Sequence, residues 1–184
     1  MTNFLKARNA ALLIALLSIF ATGSLPAAAA SLDTSLDPSA YTIWINDAAD
    51  VLSDAQEEQI ALFNANWAAR YDSIIAVDTE PSIDGDIGDY AYDTGTAIEL
   101  GSADGILVVE AETGECYLAV GPDYPMSDEE VTTYLDQYLY EPAVRGDYGE
   151  GILALFEGID EFYLDGYGPV SYTHLRAHET LANL

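Results

Sequence analysis

Apolar and polar positions recur along this chain with periods that change from segment to segment, and the changes mark its elements. Bulky residues alternate over residues 41–45 (YTIWI), which predicts a short strand. Ser53 with Gln56 is a capping-box signal, and the stripe Ile60, Phe63, Trp67 behind it predicts a helix to about residue 71. Residues 73–77 (SIIAV) form a continuous apolar run, the pattern of a buried parallel strand. After a Gly- and Asp-rich loop at residues 81–86, Ile87, Tyr90, Ala91, Thr94 and Ile98 keep helical spacing, with Gly101 as the expected stop. Residues 105–110 (GILVVE) read as a second buried strand. The turn ETGE at residues 112–115 then folds residues 116–120 back as an antiparallel strand, with Cys116, Leu118 and Val120 on one face.

Two helices close the pattern. Ser127 and Glu130 form a second capping box. Val131, Tyr134, Leu135, Tyr138 and Leu139 make the stripe behind it, and Pro142 is the expected stop. A last helix spans residues 148–164, with Ile152, Leu155, Phe156, Ile159 and Phe162 as its core face. The order β-α-β-α-β-β-α-α calls for right-handed crossovers and a small, mostly parallel sheet with one antiparallel strand, an α/β fold.

The ends of the chain follow other rules. Lys6 and Arg8 precede an apolar run from Ala10 to Ala21, and Ala27–Ala30 follow Pro26. These are the parts of a secretory signal, so residues 1–30 are expected to be removed on export. Residues 31–40 then form a polar leader, and residues 41–165 the domain. At the other end, His174, Arg176 and His178 fall within five residues of an otherwise acidic chain. Residues 170–180 (VSYTHLRAHET) resemble translated sequencing adapter. Residues 166–184 are therefore expected to be a non-native or disordered tail standing in place of the natural C-terminus, and a lost anchor there would be the domain's one route to a membrane.

Charge narrows the function classes. Of 32 acids and 5 bases, only Glu179, Lys6, Arg8 and Arg176 lie outside residues 31–169, which leaves that stretch at about −29. Such a surface repels phosphates and anionic membranes, which excludes nucleic-acid binding. Cations are its natural partners: divalent metal ions, or basic proteins of the cell envelope. The stretch holds Cys116 as its single thiol and no His. An intramolecular disulfide, a thiolate or imidazole zinc site and a His-based catalytic triad are all excluded. Hard, oxygen-ligated cations such as calcium remain.

Ligands of open α/β sheets bind beyond the carboxyl ends of the parallel strands. Asp47 and Asp50 follow the first expected strand, and Asp78 and Glu80 the second. Asp86 and Asp89 open the next helix, and Asp104 stands before the third strand. Convergence of these carboxylates on one rim is the expectation, and an oxygen set of that size suits calcium. Asp84-Gly85-Asp86 is not an EF-hand loop, because the later ligand positions do not match.

Five ordered motifs carry a resemblance. INDAADVLS from Ile45 to Ser53 is similar to the opening motif of TPM domains, a family of thylakoid-lumen and bacterial extracytoplasmic proteins named for a phosphatase activity. Gly88-Asp89-Tyr90-Ala91 resembles the family's D-Y-A helix, and ADGILVV from Ala103 its strand entrance. Leu118-Ala119-Val120-Gly121, and Glu141-Pro142 with Asp147-Tyr148-Gly149-Glu150-Gly151, resemble its later motifs. The resemblance implies a three-layer α/β/α sandwich, an acidic calcium site and, for some members, acid-phosphatase activity. Carried over, the site is Asp47, Asp89 and Asp104, with Asp50 and Asp86 as neighbours. Where many members have a basic hairpin residue, Glu115-Cys116 stands here. That departure favours a calcium-binding accessory module over the alternative, a metal-assisted phosphatase, and leaves no residue assigned as catalytic.

Overall fold

The computed structural model of the protein describes residues 32–167. The expected signal segment lies outside the described residues, as does the expected tail from residue 168 onward. Four strands form one sheet in the order β1 (Ile45–Asp47), β2 (Ile75–Glu80), β3 (Gly105–Glu110) and β4 (Cys116–Val120). β1 pairs with β2 and β2 with β3 in parallel, and β4 returns antiparallel to β3. The helices are α1 (Asp54–Tyr71), α2 (Ile87–Ala97), α3 (Asp128–Tyr134), α4 (Tyr140–Arg145) and α5 (Tyr148–Tyr167). They cover both faces of the sheet, so the fold is the expected three-layer α/β/α sandwich.

Alternation along the strands decides what each face buries. One face presents Ile75, Val77, Leu107, Val109 and Leu118 to Ile60, Phe63 and Trp67 of α1 and to Ile152, Phe156 and Ile159 of α5. Trp67 stacks on Phe156 with ring centroids 5.1 Å apart, and its indole N–H donates to the buried Asp160 carboxylate at 2.9 Å. The other face is built of smaller residues. Ala76, Ile106, Val108 and Ala119 pack with Ala91 of α2, flanked by Trp44 and Tyr90. Both capping boxes are formed: the Ser53 N–H donates to Gln56 Oε1 at 2.9 Å and the Ser127 N–H to Glu130 Oε2 at 2.8 Å.

Several local expectations need correction. Of residues 41–45 only Ile45 joins a strand, as the first residue of β1. A 3-10 helix occupies Pro38–Trp44, because Pro38 presets its first turn and Asp37 caps it by accepting from the Ser39 N–H at 2.9 Å. The leader is docked on the domain: the Asp33 N–H donates to Asn66 Oδ1 at 2.8 Å, and Leu32 packs against the main core. β2 runs on through Glu80, so Asp78 and Glu80 are strand residues and not loop acids. Gly101 does not end α2; the left-handed residue behind that helix is Glu99, at φ +59°.

Pro142 stops nothing. A π-helical turn at Leu135–Leu139 widens the backbone before it, and Pro142 sits in the first turn of α4, where an absent N–H costs little. Gly146, at φ +81°, ends that helix instead. At the far end, α5 takes up residues 166 and 167, the first two of the expected tail.

A candidate acidic site at the carboxyl edge of the sheet

The parallel register sets the geometry of the edge. Asn46 stands opposite Asp78, Asp47 opposite Thr79, and Glu80 opposite Glu110. Alternation sends Asp47 and Thr79 toward the α1 face, and Asn46, Asp78 and Glu80 toward the α2 face. On the first side, Asp47 closes the β1–α1 connection. Its Oδ1 accepts from the Val51 N–H at 3.1 Å and from the Thr79 hydroxyl, and its Oδ2 from the Leu52 N–H at 2.8 Å. Asp50 follows, exposed and left-handed at φ +55°.

On the second side two carboxylates share their donors. The Asn46 side-chain amide donates to Asp78 Oδ1 at 2.7 Å and to Glu80 Oε1 at 3.3 Å. The Tyr90 hydroxyl, from the first turn of α2, donates to Asp78 Oδ2 at 3.1 Å and to Glu80 Oε1 at 3.3 Å. Asp78 is only 4% exposed. Burial, and then the charges of Asp78 and Glu80, push the Tyr90 phenol up to about 12, so it stays a donor. Glu110, beside Glu80, is committed elsewhere. It accepts from the Thr113 hydroxyl and from the Ile83 N–H at 2.6 Å, and these bonds hold its carboxyl below the usual range.

The residues singled out in the sequence are distributed more widely than one rim. Asp86 caps α2, accepting from the Gly88 and Asp89 N–H groups at 2.9 and 3.0 Å. Asp89 is exposed in the first turn of that helix. These two share the carboxyl side of the sheet with Asp47 and Asp50. Asp104 does not. It precedes β3 at the amino end, where it accepts from the Ile74 N–H at 2.9 Å and the Gly101 N–H at 2.7 Å. The reason is topological: the residue before a parallel strand lies at the opposite edge from the residue after one. Among the described residues no group of three or more His, Cys, Asp or Glu side chains is arranged to hold a metal ion. The pair that does come together, Asp78 with Glu80, was visible in the sequence as two acids two residues apart. Continuing the strand alternation past Val77 puts them on one face.

An α/β/α sandwich with an acidic carboxyl edge is the class of domain these observations define. The family model described as the TPM domain matches residues 45–162, well over half of the chain, and the chain belongs to that family. Solved structures with the same fold include the N-terminal domain of a protein from P. gingivalis. It shares 21% identity at a TM-score of 0.60, over 71% of this chain and 89% of that one. The N-terminal domain of cg2496 from Corynebacterium glutamicum shares 18% at 0.54, over 64% and 77%. BA42 from the psychrophilic bacterium Bizionia argentinensis shares 15% at 0.54, over 62% and 82%. No curated protein matches the chain in sequence.

Proposed function

We propose that this TPM domain is an extracytoplasmic binding module whose carboxyl-edge acids take calcium, with Asp78 and Glu80 supplying the charge. The observation that carries the reading is the Asp78–Glu80 pair, bridged only by the neutral donors Asn46 and Tyr90. Two like charges that close repel each other, and a divalent cation relieves that repulsion. Among the described residues nothing cationic is bonded to them. Arg145 pairs with Asp147 at 3.1 Å, and Arg70 stands in the last turn of α1, toward the amino end of the sheet. The two carboxylates are hard oxygen donors of the kind calcium prefers. Asp50, Asp86 and Asp89 add negative potential along the same edge. Export is supported by the signal-like pattern of residues 1–30.

Calorimetric titration with calcium tests this. A saturable site is expected, weakened about tenfold or more by Asp78→Asn or Glu80→Gln and untouched by Asp104→Asn. At a hundredfold excess over its dissociation constant, calcium then stabilises the fold by about 2.7 kcal/mol. Sodium at equal ionic strength should not reproduce the effect. Absence of a saturable site, or a site indifferent to both variants, sinks the assignment. Hydrolysis of a phosphomonoester at the metal is the competing reading. Turnover that disappears in Asp78→Asn with calcium still bound would establish it.

A further inference from the structure

Among the described residues β4 is an edge strand: β3 pairs with one side of it and no strand with the other. Two bonds fix which of its groups look outward. The Glu110 N–H donates to Glu115 O, and the Gly121 N–H to Asp104 O, both at 2.9 Å. Alternate residues of an antiparallel ladder turn their backbone groups to the partner strand. The N–H and C=O groups of Cys116, Leu118 and Val120 therefore point to the open side. Among the described residues, no hydrogen bond meets them. Edges are commonly blunted by Lys, Pro or a bulge, and β4 (CYLAV) carries neither residue. The opposite edge, β1, is only three residues long and has the 3-10 helix against it.

The open side of β4 forms one wall of a groove of about 670 Å³. Ile87 and Tyr92 line it from the α2 layer, and Val131, Leu135, Tyr140 and Val144 from the other helical layer. Tyr92, Tyr140 and Val144 are 54%, 61% and 67% exposed, an unusual concentration of large apolar side chains in solvent. Glu115, Asp128 and Asp136 are the charged residues of the lining, and no Lys or Arg belongs to it.

We propose that this groove takes an extended, basic segment of a partner protein, which adds to β4 as a fifth strand. Main-chain bonds to Cys116, Leu118 and Val120 supply the pairing, and the groove walls select the side chains. Residues of such a segment that point toward Val131, Leu135 and Val144 are apolar. Lys or Arg residues answer Glu115, Asp128 and Asp136. A second copy of this chain is the wrong occupant, because two surfaces of about −29 repel. The inference rests on the binding-module reading only in requiring a protein partner, and it does not need the metal.

The test uses a blocked decapeptide of alternating Val and Lys, titrated into the protein in EDTA, with amide exchange followed by NMR. Saturable binding is expected, with exchange at Leu118 and Val120 slowed about tenfold or more. A Val/Glu decapeptide should bind at least about tenfold more weakly, as should a Val/Lys peptide N-methylated at alternate residues. Val144→Arg and Asp136→Lys change exposed side chains, so each should weaken binding while leaving the melting temperature in place. Unchanged exchange at Leu118 and Val120 overturns the proposal. So does equal binding of the N-methylated peptide, which would mean charge attraction without strand pairing. Protection of the same amides by protein concentration alone would assign the edge to a second copy and overturn it as well. Peptide failure with an intact calcium titration removes the groove alone, and the reverse result removes the metal site alone.

Discussion

Asn46 and Asp78 face each other across the β1–β2 ladder, and the asparagine amide caps one oxygen of a nearly buried carboxylate at 2.7 Å. Asn46→Ala leaves that oxygen without its donor and should cost about 1–3 kcal/mol in urea unfolding. Asn46→Asp replaces the donor with a third negative charge. Its deficit should exceed that of the alanine variant at neutral pH and shrink when calcium is added or the pH is lowered. Equal deficits under all three conditions would show that the carboxylates do not interact.

Tyr90 makes alkaline stability site-specific. Its phenol is raised to about 12 in the folded protein, against about 10 in an unfolded chain. The fold therefore keeps a proton that the unfolded chain releases. The resulting stabilisation is complete below about pH 10 and fades as the pH rises toward about 12. Tyr117, Tyr134 and Tyr138 shift in the same direction, so Tyr90→Phe should flatten this alkaline limb only in part. Absorbance titration at the phenolate band should lose one late-titrating group. An unchanged alkaline limb in the variant would contradict the bonding to Asp78 and Glu80.

Much of this architecture follows from periodicity, and the places where it does not are informative. β3 and β4 fall where the apolar run and the alternation put them. β2 was legible as a strand but not in its extent, because hydrophobicity reports burial and the ladder outlasts it. Asp78, Thr79 and Glu80 stay in the sheet because β1 and α2 supply Asn46, Asp47 and Tyr90 as partners, and those lie 10–34 residues away. The same blindness to distant partners hid the donors that Asp78 and Glu80 share. Pro142 misled because a π turn is a backbone event with no fixed residue signature. Asp104 misled because a strand's entry and its exit are equally acidic here, and only the topology separates them.

Asp104 should therefore behave as a structural residue. Its two oxygens tie Ile74 and Gly101 together ahead of β2 and β3. Asp104→Ala strands the Ile74 N–H and should cost about 1–3 kcal/mol, with calcium affinity unchanged. A drop in calcium affinity without loss of stability would return Asp104 to the metal site.

Gly121 is the tightest glycine contact with backbone. A Cβ there would stand 2.3 Å from the Ser102 carbonyl oxygen and 2.7 Å from its carbon. That oxygen also accepts from the Asp123 N–H at 2.8 Å, and the Gly121 N–H holds Asp104 O, so neither side can yield freely. Gly121→Ala should cost about 1–3 kcal/mol and several degrees of melting temperature. Gly166→Ala in α5, with nothing within 4 Å, is the control and should cost nothing.

The unequal layers of the sandwich bear on how an ion would reach the acids. α1 and α5 clamp one face with Trp67, Phe63 and Phe156, whereas α2 meets the other through Ala91, packed with Ala76, Ile106, Val108 and Ala119. With no buried aromatic ring in that layer, α2 is expected to open locally at a lower free energy than global unfolding. Tyr90 travels with α2. Each such excursion withdraws its hydroxyl from Asp78 and Glu80 and wets the pair while β2 and β3 stay in register. Half-buried Glu80 meets solvent without that motion, whereas Asp78 waits on the breathing of α2.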